Sequence, residues 1–136
     1  MVRVLFGLFL VAHGLIHAGF VSRAPATTPG APEWPFEISR SWLNTGEGLD
    51  VSVVRTIGAA LVVATVVAFA GAGLAWLGIV VPSTWWSTLT IVGAASSLAV
   101  LIAFFHPWLV LGFAIDALLI YLVAVSGWSA ETSVAP

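Results

Sequence analysis

The chain has 136 residues, a formal net charge of −2, 60% hydrophobic residues and only 7% charged ones, where a soluble domain carries about 25%. So few charges cannot cover a water-facing surface, which excludes a soluble globular enzyme, and the same numbers exclude intrinsic disorder. Four Arg, no Lys and no basic cluster leave no surface for binding nucleic acid, and the absence of Cys removes disulfides, thiolate metal sites and thiol redox chemistry.

The mean hydropathy is +1.11. The expectation is an all-α integral membrane protein embedded in the lipid bilayer, one domain over 1–136 built as a four-helix up-down bundle. The first predicted helix covers residues 4–21, the length needed to cross a bilayer core of about 30 Å. Met1-Val2-Arg3, the apolar run and Ala24-Pro25-Ala26 loosely resemble a cleaved signal peptide. Two histidines interrupt that run, so a retained helix is expected.

Residues 22–52 form a long loop. It opens with the turn-rich stretch 24–32, which holds three prolines and a glycine. Trp34, Ile38 and Trp42 then recur at helical spacing, with Glu37 and Arg40 three apart. This predicts a short amphipathic helix over 34–43, lying on the membrane or capping the mouth of the bundle. Asn44-Thr45-Gly46-Glu47-Gly48 breaks it, and Asp50 or Ser52 is placed to cap the next helix.

The remaining predicted helices cover 53–81, 85–105 and 108–127, with Pro82 and Pro107 at the joints. The joints are short, so these helices should alternate in direction. Trp85, Trp86, Trp108 and Trp128 fall at predicted ends, where indole anchors the membrane–water interface. Trp76, inside the second helix, reads as packing. Arg23, Arg40 and Arg55, set against Arg3 and the terminal amine, oppose a cytoplasmic N-terminus. The weight of the first helix and the aromatic, Pro-rich loop favour it, and both termini inside is the expected orientation.

Ionisable groups within a span are costly, so each is a functional candidate. His13 and His17 lie one turn apart on one helix face, a spacing that lets two imidazoles reach one metal ion. It does not suit the two axial ligands of one haem, which approach from opposite faces. Asp116 lies on the last predicted helix, and His106 at the joint before it. At about 1.5 Å per residue, His13 and Asp116 lie at similar depth below the same side of the membrane. If their helices are neighbours the two meet near the bilayer centre, and His17 and His106 extend a polar column to that interface. The catalytic candidates are therefore His13, His17 and Asp116, and the cofactor candidates His13, His17 and His106. The metal candidates are His13 and His17.

Gly14 with Ala18, and Gly93 with Ser97, are small residues four apart, a pattern of close helix contact; Gly71-Ala72-Gly73 serves the same purpose. Thr65, Ser96, Ser97 and Tyr121 read as local hydrogen bonders. No Ser–His–Asp arrangement, phosphate loop or dinucleotide fingerprint is evident.

The opening Arg3-Val4-Leu5-Phe6-Gly7-Leu8-Phe9-Leu10-Val11-Ala12-His13-Gly14-Leu15-Ile16-His17 resembles the first helix of the DoxX-like family of small four-helix bacterial membrane proteins. The match lies at Gly7, His13, Gly14 and His17, and the long loop departs from the family pattern. The resemblance implies a bacterial plasma membrane and an association with quinone-linked or thiosulfate-linked oxidoreduction.

Three functions compete. The first is an accessory or assembly subunit of a larger membrane complex, motivated by small size and small-residue faces, with a second copy or other membrane subunits as partners. The second is a redox- or proton-transfer protein that uses His13, His17 and Asp116 with bound quinone, haem or a metal ion. The third is a small oligomeric transporter with Asp116 as its coupling carboxylate.

Overall fold

The computed structural model describes residues 1–26 and 28–128; Thr27, in the turn-rich stretch, and residues 129–136 of the expected domain lie outside the described residues. Among the described residues there is no strand. Five helices form: α1 (Val2–Ile16), α2 (Trp42–Thr45), α3 (Val51–Leu77), α4 (Trp86–Ala103) and α5 (Val110–Ile120). With their flanking 3-10 and π turns, four stretches are long and apolar enough to cross a membrane: Val2–Val21, Val51–Leu77, Ser83–Ala103 and Pro107–Val125.

Helix α3 is central and packs most extensively against α4 and α1, while α5 leans on α4. Its buried positions Gly58, Val62, Thr65, Phe69, Ala72 and Trp76 recur every three or four residues, one face of a helix. Glycines set the approach of its neighbours. A Cβ on Gly14 of α1 would lie 2.7 Å from the Cβ of Phe69, and one on Gly93 of α4 would lie 3.0 Å from the Phe69 ring. Both small-residue faces are therefore filled by this chain's own phenylalanine.

One end is tied by aromatic and backbone contacts. Arg3 Nε donates to the Trp76 carbonyl and Trp76 Nε1 donates to the Arg3 carbonyl, both at 3.0 Å. Trp76 also meets Phe6, Trp86 and Trp128 with ring centres 4.7–4.8 Å apart. This corrects the interfacial reading of Trp86, which is 7% exposed and belongs to the core; Trp85 and Trp108 are exposed.

The expected helix over 53–81 ends at Leu77. Gly78 adopts φ 73, and its amide bonds to the Ala75 carbonyl while that of Ile79 reaches Leu74. This left-handed cap uses the terminal carbonyls and turns the chain away. At the other end Asp50 caps α3, its carboxylate accepting from the amides of Ser52 and Val53.

The expected amphipathic helix over 34–43 is replaced by a turn and the four-residue α2. Glu37 accepts from the hydroxyl and amide of Ser39, which holds this carboxyl below the usual range and favours a turn over a helix. Ser41 is extended and becomes the N-cap, accepting from the Leu43 amide. The reason is tertiary. Ser41 Oγ donates to the Ala103 carbonyl at 2.6 Å, and Trp42 Nε1 donates to the Ile102 carbonyl at 2.8 Å. Both carbonyls lie in the last turn of α4, where no intrahelical donor remains. Ser41→Ala should therefore cost about 1 kcal/mol and speed hydrogen exchange at the Leu43 amide, while exchange in α3 stays unchanged.

Candidate functional site

The site joins α1, α4 and α5 under the loop. At the end of α1 the helix tightens into a 3-10 turn over His17–Val21, and the His17 amide reaches the Gly14 carbonyl. The His17 imidazole bonds through Nδ1 to the His13 carbonyl at 3.0 Å. His13 Nε2 lies 2.9 Å from Asp116 Oδ1 on α5. Asp116 Oδ2 lies 2.5 Å from Ser97 Oγ on α4, and Ser97 Oγ lies 2.7 Å from His17 Nε2. His13 and His17 are 5% and 3% exposed, Ser97 and Asp116 not at all. Phe69 of α3 walls one side, its ring edge-on to His13 at 4.8 Å.

His13, His17 and Asp116 are thus brought together. His106 is not. Its Nδ1 accepts from the Trp108 amide and caps the turn at Pro107–Leu109, so it neither bonds to the cluster nor continues a polar column. Ser97 corrects its reading as a local hydrogen bonder, since it links α4 to both α1 and α5. The three residue types of a Ser–His–Asp arrangement do meet here, but no histidine joins the serine to the aspartate. The order is Asp–Ser–His, with the hydroxyl in the middle and sealed, which suits a bridge rather than a nucleophile. The signal for Ser97 was its place one turn beyond Gly93 on a face of small residues.

The hydrogens can be counted. The His13 carbonyl only accepts, so His17 Nδ1 carries a hydrogen. If His17 is neutral, its Nε2 is a lone pair and Ser97 must donate to it. Ser97 has one hydrogen, so Asp116 Oδ2 must then carry a proton and donate to Ser97. If Asp116 is ionised, Ser97 donates to it, and His17 Nε2 must carry a hydrogen, making an imidazolium. An ionised Asp116 facing a neutral His17 leaves one short contact without any hydrogen, two lone pairs against each other. With a neutral His13 donating from Nε2 to Asp116 Oδ1, the cluster therefore holds one proton shared between Asp116 and His17. In both arrangements His13 Nε2–H donates to Asp116 Oδ1, which leaves His13 Nδ1 as an acceptor.

Individual bonds of this kind contribute only about 0.6 kcal/mol on average between membrane helices, whereas an unpaired acid in a span costs about 2.5–3.5 kcal/mol. The network chiefly removes that cost. It also fixes which faces of α1, α4 and α5 meet.

Beside the network lies a cavity of about 160 Å³ lined by His13, His17, Leu101, Gly112 and Ile115, with Phe36 of the loop above it. The candidate cofactors fit unequally. Three of the four imidazole nitrogens are occupied, and among the described residues no group of three or more His, Cys, Asp or Glu is placed to hold a metal ion. A porphyrin exceeds a space suited to one six-membered ring, so haem does not fit. A quinone ring fits by volume, but its oxidised head offers only acceptors to His13 Nδ1.

No protein-family model matches the chain, and neither does any curated protein or solved structure.

Proposed function

We propose that the chain is an integral protein of a bacterial plasma membrane, a four-helix up-down bundle capped at one end by the 22–50 segment, that moves a proton within the bilayer. The observation that carries this is the hydrogen count: Asp116 and His17 hold one proton between them, with Ser97 as the bridge. Transfer needs no displacement of heavy atoms. The Oδ2 proton of Asp116 passes to Ser97 Oγ as the Ser97 hydrogen passes to His17 Nε2, giving a carboxylate and an imidazolium. His13 stays a donor to Asp116 throughout and steadies the carboxylate charge.

An accessory or assembly role was expected from small size and small-residue faces; Gly14 and Gly93 both pack on Phe69 within the chain, which leaves small size as its support. A transporter requires a second copy, because four helices alone enclose little space. Proton transfer is therefore the reading with most support, in a lipid bilayer and with further subunits as an open addition to it.

The test is spectroscopic. Protein in lipid nanodiscs should show a deuterium-sensitive carboxylic-acid stretch from Asp116 and a His17 ring whose nitrogen signals exchange between singly and doubly protonated forms. Ser97→Ala should stop that exchange, and Ser97→Thr, which restores a hydroxyl, should return it. An ionised Asp116 beside a singly protonated His17 in the unmodified protein defeats the proposal.

A further inference from the structure

The cavity beside His13 has the shape and chemistry of a ligand site. Helices α1 and α5 approach only loosely along their lengths. The exposed side chains of Ile16 on α1 and Leu111 on α5 flank the opening between them. Both lie within stretches apolar enough to cross a membrane, so the mouth opens on the apolar flank of the bundle, with Trp108 and Phe36 of the loop also lining the space. Gly112 keeps the space open, since a Cβ there would lie 3.0 Å from a Leu101 methyl.

Size selects the occupant. A cavity of about 160 Å³ is close to the roughly 150 Å³ void that holds one benzene ring in an engineered apolar core. It takes a single six-membered ring and excludes fused systems of three or four. An alkyl substituent leaves through the mouth between Ile16 and Leu111.

Polarity selects further. Of the four nitrogens on the two lining histidines, three are bonded within the protein. His13 Nδ1 has no partner among the described residues, and it is not among the sealed polar atoms. Its proton inventory makes it an acceptor, because His13 Nε2–H is committed to Asp116. A purely apolar ring leaves that lone pair unmatched. A ligand that only accepts sets two lone pairs against each other. The complementary group is an O–H on the ring. The lining holds no Arg or Lys, so it offers an anion nothing.

We infer that this cavity binds a lipid-dissolved, single-ring hydroxyarene, its hydroxyl donating to His13 Nδ1. The inference rests on the proton-transfer reading of the same network, which fixes His13 Nδ1 as the acceptor. It places a proton-bearing ligand one imidazole away from Asp116.

The experiment uses the full chain in nanodiscs, labelled with 15N-histidine. The probes are 3,5-dimethylphenol and m-xylene, which share a ring and differ by the hydroxyl. Dimethylphenol should produce a saturable shift of His13 Nδ1. m-Xylene should bind about tenfold more weakly, the value of one hydrogen bond of about 1.4 kcal/mol. Gly112→Val fills the space and should abolish the shift while the Asp116 carboxylic-acid stretch persists, which shows the helices still assembled. Equal binding of the two probes, no saturable binding of dimethylphenol, or binding retained in Gly112→Val each overturns the inference. Failure here with the carboxylic-acid stretch and His17 exchange intact removes the ligand site alone. Saturable dimethylphenol binding without those signals removes the proton reading alone.

Discussion

Asp116→Asn should yield a folded protein whose network is frozen. The amide reproduces the neutral arrangement: its oxygen accepts from His13 Nε2–H and its NH2 donates to Ser97, which still donates to His17. The cost should stay at about 1–2 kcal/mol, because every existing bond is kept and only the second amide hydrogen is left without an acceptor. The carboxylic-acid stretch should vanish, and His17 should settle as the single Nδ1–H tautomer with no exchange. Asp116→Ala is the informative contrast. It strands His13 Nε2–H and opens a void at a fully buried position, so it should cost about 1–3 kcal/mol. A protein that keeps His17 exchange with asparagine at 116 would show that Asp116 is only a structural partner.

The second large effect lies away from the site. On Gly73 of α3, a Cβ would lie 2.6 Å from the Gly7 carbonyl oxygen and 2.6 Å from a Val11 methyl. The oxygen belongs to the backbone of α1, so no side-chain rotation relieves the clash and the helices must part by several tenths of an ångström. Gly73→Ala should therefore cost towards the upper end of about 1–3 kcal/mol. It should also disturb the network, because α1 carries His13 and leads directly into the turn that holds His17. Gly71→Ala is the control. Its Cβ would meet only the flexible methyls of Leu89, the nearer at 3.2 Å, and should be close to silent. Thermal stability in detergent separates the two. Equal behaviour of the pair would mean that α1 and α3 do not depend on close backbone approach.

These two experiments probe what lipid does to helix assembly. Apolar burial between helices gains little when the alternative is an equally apolar acyl chain. Close backbone contact and paired polar groups then decide the arrangement. Gly73 and Gly14 supply the first, and the Asp116–Ser97–His17 bridge supplies the second. That bridge is also where a proton can move.

The sequence alone determined four apolar stretches of spanning length, because a backbone in lipid must satisfy its own hydrogen bonds and only a helix does so within one segment. It also placed His13 and His17 on one helix face, and put His13 and Asp116 at matching depth, since helical rise and periodicity are local quantities. The end of α3 is legible as well, in Gly78, whose left-handed cap stops the helix although the hydropathy continues through Val81. The rest was decided only by tertiary structure. Ser97 joins a residue 80 positions earlier and one 19 later, a meeting set by how α4 rotates when Gly93 closes on Phe69. The segment 34–43 has helical periodicity, yet Ser41 and Trp42 bind the open carbonyls of α4 instead, and that end is 60 residues away. His106 has the residue type of a ligand, but its backbone geometry turns the ring onto its own chain. Periodicity fixes which face a residue occupies; only the packing of helices fixes what that face meets.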